Sequence, residues 1–471
     1  MSADAPQPDR LNITIVAANP FEFDSRFLRS ATSLAADGHR LRILGWSGPG
    51  LPTEEELAPG VQLTRLDIDR RISNALKPLP QRVRRGICRL VRLDYDAQVL
   101  PPDAPKGFDR LLHPLRRTLE MIANARRAGP WADAVVEAAP ETEVFHAQSL
   151  VVLPVVRESA KRLGGRFVYD VADYHTEAAR LARMPWIVRE VVRRRERDWA
   201  RDGSAFLAVS DPVADLVVRR WGVPRPTILW NCPPAWRADE PGIIESDKIR
   251  EATGIEPERP IVLYQGGFSV DRGVEELVAA ATQPRLMELG AAVVFMGYGR
   301  LEGFVAEAVE AHPGRIYLLP AVRPDDLMPW TASADVSFVG QPPRTLNQKM
   351  NLPNKLFESI MAGVPVVVSE GNEQCRLTSD EEIGVCVDID DPAAIAAACA
   401  DLLTASAGER RALREHCREV ALGKYTWDHT AVGIVELYRK LAREDAPVGP
   451  GRSIREGGSP RAAAETVADQ A

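Results

Sequence analysis

Short apolar runs alternate with amphipathic stretches from residue 12 onward. Residues 12–18 (NITIVAA) are apolar, and after a polar loop Phe27, Leu28, Ala31, Leu34 and Ala35 recur at helical spacing. Gly38 closes that helix, and 40–45 (RLRILG) turn apolar again. This is a strand–helix–strand unit with a glycine stop where a parallel crossover needs one. The same grammar returns at 142–147, 150–163, 166–171 and 204–210. A second series starts at 261–265, passes through a helix at 273–281, and continues as strands at 291–296, 315–319, 335–339 and 364–369. Strands this uniformly apolar suit a parallel sheet covered on both faces. Two such series predict an α/β protein with two doubly wound, Rossmann-like domains.

The predicted divisions follow the composition. Residues 1–10 are polar and expected to be disordered, 11–235 form the first domain, and 236–426 form the second. Asn231-Cys232-Pro233-Pro234 and the charged stretch to Pro260 mark the change between them. A last helix is expected at about 427–443, within a segment 427–444. Beyond it, 445–471 are rich in Pro, Gly, Ser, Arg and Ala, which predicts a disordered tail.

The 471 residues carry 59 Lys and Arg against 66 Asp and Glu, so the chain as a whole is not a nucleic-acid-binding polycation. The charge is uneven, however. Residues 70–130 hold fourteen Arg and Lys against five Asp and Glu, and 82–92 (RVRRGICRLVR) set Val83, Ile87, Leu90 and Val91 near one helical face. That segment reads as an amphipathic helix on anionic lipid, or as a solvated face beside a phosphate-receiving site. The six cysteines, at 88, 232, 375, 386, 399 and 417, show neither CxxC pairs nor metal spacing. They fit a reducing cytosol rather than a zinc site or a disulfide framework. The start MSADAPQPDR does not read as a signal peptide, and no apolar run approaches the ~18 residues of a membrane span. The expected location is cytoplasmic, with contact at the inner membrane face through 70–130.

Candidate chemistry concentrates in 335–369. A buried strand ends near Gly340, a long polar loop leads to Asn351-Leu352-Pro353-Asn354-Lys355, and a helix then runs to Met361. Asn351 is placed to cap that helix, with Pro353 in its first turn. A helix start at the carboxyl end of a parallel strand presents free N–H donors and partial positive charge, which together favour a phosphate. Lys355 adds a cation there, and Glu358, one turn further in, can accept from sugar hydroxyls. Read without a ligand, the same residues make an ordinary capped helix with a surface Lys and Glu. A second strand-to-helix loop, Tyr264-Gln265-Gly266-Gly267-Phe268-Ser269-Val270-Asp271-Arg272-Gly273, allows close backbone approach at Gly266 and Gly267 and offers Arg272 to two phosphate oxygens. A third, Met296-Gly297-Tyr298-Gly299, ends a strand in a glycine turn.

Taken together with Tyr425-Thr426-Trp427, these motifs resemble GT-B glycosyltransferases of the retaining, glycogen-synthase-like group, over roughly residues 10–443. The resemblance implies a nucleotide-diphosphate-sugar as donor substrate in the second domain and a glycan or lipid-linked acceptor in the first. Transfer to an acceptor hydroxyl would occur in the cleft between them. It implies no cofactor and no metal, because Arg272, Lys355 and the helix dipole would neutralise the leaving diphosphate. It also implies that Glu358 holds the ribose, that Gly297, Gly299 and Val322 border the base, and that the helix from Trp427 crosses back to the first domain. The family often carries a second Glu eight residues before 358; here that position is Met350, and Asn351, Asn354 or Lys355 is expected to take over its contact to the donor sugar. No glycine-rich fingerprint follows the first strand, which counts against an NAD or FAD enzyme.

In the first half, His146 and Gln148 end one strand, and Asp173, His175 and Glu177 follow another. Open α/β sheets place ligands at such strand ends. These five, with Asp24 and Arg26, are the acceptor-side candidates, Asp173, His175 and Glu177 being able to orient a hydroxyl or accept its proton. For His146 a hydrogen-bonded core histidine is an equal reading, and Asp24 with Arg26 also reads as a helix cap and a surface charge. Two D-x-D strings, Asp94–Asp96 and Asp388–Asp390, are discounted as metal sites; Asp391-Pro392 after the second reads as a helix start. Two rivals share the scaffold: a nucleotide-sugar epimerase, which needs no acceptor, and an inert binding subunit, motivated by Met350.

Overall fold

The computed structural model describes residues 10–22, 24–69, 76, 78–91, 109–178, 181, 184–240 and 242–444, with some side chains of the helix Asp109–Ala138 left out. The expectations for 1–9, for the tail 445–471 and for Asp94–Asp96 lie outside these residues.

Two sheets are present. The first contains β1 (Asn12–Val16), β2 (Arg40–Trp46), β3 (Glu54–Ala58), β4 (Val61–Leu66), β5 (Val144–Ala147), β6 (Arg166–Val171), β7 (Ala205–Ala208) and β8 (Thr227–Ile228). Their order is β3-β4-β2-β1-β5-β6-β7-β8, parallel except for the β3–β4 hairpin. The second contains β9 (Ile261–Phe268), β10 (Ala292–Gly299), β11 (Ile316–Leu319), β12 (Val336–Val339), β13 (Val366–Ser369) and β14 (Gly384–Val387). Its order, β11-β10-β9-β12-β13-β14, is all parallel. The hairpin and the short β8 and β14 were not foreseen; β3 is largely polar and β14 is only half-buried, so neither carries the apolar signal of a central strand.

Both orders reverse direction once, between β1 and β5 and between β9 and β12. At such a switch point successive crossovers diverge to opposite faces and leave a crevice at the carboxyl ends of the strands. The two crevices face each other.

The helix Trp427–Arg443 closes the molecule. Its N-cap Thr426 accepts from His429 N, and its apolar stripe Trp427, Ala431, Ile434, Tyr438 and Leu441 enters the core of the first sheet beside the helix Ser25–Ala36. The preceding helix, Ala407–Lys424, packs instead on the helix Asn354–Met361 of the second unit. The chain thus returns to the first unit at Tyr425–Trp427, where the Trp427 indole donates to Ser33 Oγ at 2.8 Å.

Two expectations are corrected, and of the two readings of His146 the hydrogen-bonded core histidine is the one found. Cys375 and Cys386 form a disulfide, because the short return from the helix Glu373–Asp380 into β14 sets their Cα atoms 5.5 Å apart; the other four cysteines are free and buried. Arg26 is no surface residue. It is buried, its guanidinium bidentate to Asp170 (Nε–Oδ2 2.9 Å, Nη2–Oδ1 2.8 Å) and donating to Leu229 O. His146 is likewise buried, sharing a 2.9 Å Nδ1–Oη contact with Tyr438, its other nitrogen 3.7 Å from Asp170. No helix among the described residues is long and apolar enough to cross a membrane.

Burial alone would raise the Asp170 carboxyl, but Arg26 and His146 outweigh it and hold it down at about 2. A depressed carboxylate stabilises the fold above its unfolded value of 3.8 and loses that contribution as pH falls toward 2. We expect Arg26→Met to cost about 3–5 kcal/mol at neutral pH, because it strands a buried charge. In denaturant titrations that cost should shrink on acidification below the unfolded value. A substitution without effect at neutral pH would contradict the pairing.

Candidate active site

A cleft of about 1010 Å³ runs between the two sheets and is lined from both switch points. Ala18 and Asn19 follow β1, Gln148 and Ser149 follow β5, and Ala172, Asp173 and His175 follow β6. The opposite wall is Tyr264–Gly267 at the end of β9, Met296–Tyr298 at the end of β10, Ala321–Pro324, Asn351–Lys355 and Glu358.

The second wall is organised by Lys355. The helix Asn354–Met361 begins later than the sequence suggests: Pro353 is its N-cap, with no side-chain cap. Asn351 is instead the C-cap of a separate helix, Leu346–Met350, which occupies the stretch expected to be loop. Lys355, in the first turn, is buried rather than on the surface, and its Nζ stands 3.9 Å from the centre of the Tyr264 ring without a hydrogen-bond partner. Burial, reinforced by Arg272, pushes its amine well below the ordinary lysine range, and Glu358 only partly offsets this. Glu358 is itself raised by burial; Gln265 Nε2 donates to it at 2.9 Å, and Thr331 Oγ1 holds Gln265 from behind at 2.7 Å.

Arg272 is exposed and lines the cleft. The turn that presents it is left-handed at Asp271 (φ 63°) and at Gly273 (φ 80°), the latter against Phe338 and the Gly340 backbone, where a Cβ would clash. Arg344 Nη1 donates to Asp271 Oδ1 at 2.7 Å and Gln348 Nε2 donates to Asp271 O at 3.2 Å, so the turn is fixed from outside. Gly266 and Gly267 have open space above their Cα atoms on the cleft side. Gly297 and Gly299 have a different cause: a Cβ at either would strike the β9 backbone at Gly266 or Phe268. Gly297 and Val322 line the cleft; Gly299 does not.

The first wall is polar and largely self-satisfied. Asp24 lines the cleft but makes no helix-capping bond; its Oδ2 accepts from Asn19 Nδ2 at 2.9 Å and from Gln148 Nε2. Burial raises its carboxyl, opposed by those bonds. Asp173 Oδ1 accepts from Asn347 Nδ2 (2.9 Å) and Asn351 Nδ2 (3.1 Å), both from the other unit. Asn354 Oδ1 accepts from Asn231 Nδ2 at 2.5 Å, and Arg29 holds Asn231 in turn at 2.8 Å. Glu177 is outside the cleft lining and receives Arg193 and Arg220 at 2.9 and 2.6 Å. Of the acceptor-side candidates, Asp24, Gln148, Asp173 and His175 therefore converge on the cleft, while Arg26, though adjoining it, is tied to Asp170, and His146 and Glu177 serve the fold.

Met350 explains its own departure from the pattern. Its side chain is buried in the core of the first unit, Leu346 packs against the same cluster, and its carbonyl accepts from Ser210 Oγ at 2.6 Å. Sequence reasoning missed this helix, together with Tyr264 beneath Lys355 and the Gln265–Thr331 support. Only the Thr345–Gln348 capping box could have signalled it.

Residues 259–405 match the family model described as glycosyl transferases group 1. The chain is 25% identical over 203 residues to an uncharacterized glycosyltransferase of Methanocaldococcus jannaschii (42% of this chain, 50% of that one). It is 24% identical over 262 residues to alpha-maltose-1-phosphate synthase of Mycolicibacterium smegmatis (52% of this chain, 66% of that one). It thus spans half of the first curated relative and just under two thirds of the second. Among solved structures, sucrose-phosphate synthase of Thermosynechococcus elongatus superposes over 92% of this chain and 99% of its own, with a TM-score of 0.66 at 17% identity. The chain has the GT-B fold, and the match to the group 1 glycosyl transferase model lies in its second unit.

Because Met350 fills a core, Met350→Ala is expected to destabilise by about 2–4 kcal/mol. Met350→Glu, which restores the residue the family often carries, should cost more by burying an unpaired carboxylate. Chemical denaturation monitored by circular dichroism measures both, and a Glu variant as stable as the parent would refute the placement.

Proposed function

We propose that the protein transfers a sugar from a nucleoside-diphosphate sugar to a hydroxyl group of a glycan or lipid-linked acceptor, with retention and without a metal. The observation that carries this reading is the Lys355 ammonium, buried, without an acceptor and facing the cleft at a helix start. A helix N-terminus alone favours an anion weakly; a desolvated cation beside it, with Arg272 across the turn, favours a diphosphate strongly. Glu358, oriented by Gln265, is placed to accept from the ribose hydroxyls, and Gly297 and Val322 to border the base. Gly266 and Gly267 let the phosphates approach the backbone. On the first wall Asp24, Gln148, Asp173 and His175 are the candidates to receive the acceptor.

In the proposed step the bond from the sugar anomeric carbon to the diphosphate oxygen breaks, and the diphosphate keeps the electron pair. The acceptor hydroxyl forms the new bond on the same face, and its proton passes to an oxygen of the leaving diphosphate. Arg272 and Lys355 stabilise the charge that grows there. An epimerase would give product from the donor alone, and an inert subunit would bind nucleotide without turnover on any acceptor.

Lys355→Met and Arg272→Ala are each expected to weaken binding of a nucleoside diphosphate, and to lower turnover, at least tenfold with unchanged folding. Calorimetry with UDP, GDP and ADP provides the measurement, and parent-like affinity in both variants would remove the assignment. The depressed Lys355 amine adds a signature. A bound diphosphate restores its proton, so binding at mildly alkaline pH should take up protons from the buffer, and Lys355→Met should abolish that uptake.

A further inference from the structure

Seven of the thirteen large apolar side chains exposed among the described residues sit on one layer of the first unit. The layer comprises the helices Gln81–Leu90, Asp109–Ala138 and Trp186–Ala200. The second packs on the helix Leu153–Leu163, which in turn packs on the third, and Arg116 Nε ties the first to the second through Val91 O at 2.8 Å. The helices Ser25–Ala36 and Trp427–Arg443 lie in the core on the other side of the sheet.

The third helix, WIVREVVRRRERDWA, is the most telling. Trp186, Ile187 and Val191 are 74%, 58% and 55% exposed, and its first turn carries no acidic residue. Arg194 and Arg195 are exposed further along; Glu190 holds Arg194 at 2.8 Å, and Arg195 has no acidic partner among the described residues. This helix lies between the parallel strands β6 and β7 in the chain and so runs back along the sheet. In the helix Gln81–Leu90 only Cys88 is buried, Val83 and Leu90 are 47% and 77% exposed, Arg82 and Arg89 are exposed, and no acidic residue occurs. A large indole beside aliphatic side chains, followed by arginines on a chain of net charge −7, is the pattern of an interfacial helix rather than of a solvated face.

We propose that this layer docks on an anionic lipid bilayer, with Trp186, Ile187 and Val191 entering the headgroup boundary and the arginines of both helices meeting lipid phosphates. The sequence pointed only to 70–130; the structure adds the exposed apolar tip of Trp186–Ala200. The surface argument does not depend on the transferase reading, and nucleotide affinity in solution tests that reading separately.

The test is flotation of the full chain with vesicles of phosphatidylglycerol and phosphatidylcholine, and with phosphatidylcholine alone. Expected is binding to the anionic vesicles that falls at least tenfold in the Trp186→Ser/Ile187→Ser variant, in the Arg194→Gln/Arg195→Gln variant, and at high salt. UDP affinity and thermal melting should stay as in the parent; the exposed arginine pair keeps the test informative if the first variant folds poorly. Absence of the parent from floated anionic vesicles, or parent-like binding by the arginine variant, would overturn the proposal. So would self-association of the parent that the same substitutions abolish, since a second copy would then be the occupant.

Discussion

A five-residue helix, Leu346–Met350, holds the two halves of the cleft in register. Met350 and Leu346 are anchored in the core of the first unit, Asn347 grips Asp173 and the Tyr174 amide, and Gln348 supports the Asp271 carbonyl behind Arg272. A side chain that contacts one unit thus sits within a turn of one that positions the other. The helix therefore ties the first unit's Asp173 and Tyr174 to the turn that carries Arg272.

This constraint frames the electrostatics. Lys355 follows the clamp by five residues, in a segment whose course is fixed by Asn351 on Asp173 and Asn354 on Asn231. A lysine free to move would swing to water, since its flexible stem normally lets the ammonium stay hydrated while the carbons are buried. Here the stem is packed and the ammonium rests over the Tyr264 ring, a contact that compensates desolvation only in part. The deficit left over is what a phosphate would remove.

Much of the frame was legible in the chain. The apolar runs located the long parallel strands, because a strand buried on both faces has no polar position to hide its signal. The β3–β4 hairpin escaped because its first strand opens on three consecutive glutamates, and the Leu346–Met350 helix because five residues are too few for a period to declare itself. On the second wall, residue type and spacing led to Arg272, Lys355 and Glu358, which the structure does bring together along the cleft. The first wall was less legible. Arg26, His146 and Glu177 are polar residues near strand ends, and nothing local distinguishes one facing a cleft from one facing Asp170, Tyr438 or Arg220. Partner identity is set by tertiary contacts some 140 to 290 residues away for two of the three, beyond the reach of any window.

The two walls differ in what they leave unsatisfied. On the second, a buried ammonium and an exposed guanidinium have no acceptor among the described residues, so that wall has an unmet demand for negative charge. On the first, Asp24 is bonded by Asn19 and Gln148, Asp173 by two asparagine amides, and Arg26 by Asp170. Such internally balanced groups gain little from a charged ligand, whose arrival would strip a partner from each. They can still take a neutral hydroxyl, which donates to a spare carboxylate lone pair without displacing the existing bond. The asymmetry favours an anion on one side and an alcohol on the other, and it arises from hydrogen-bond bookkeeping rather than from the net charge of either unit.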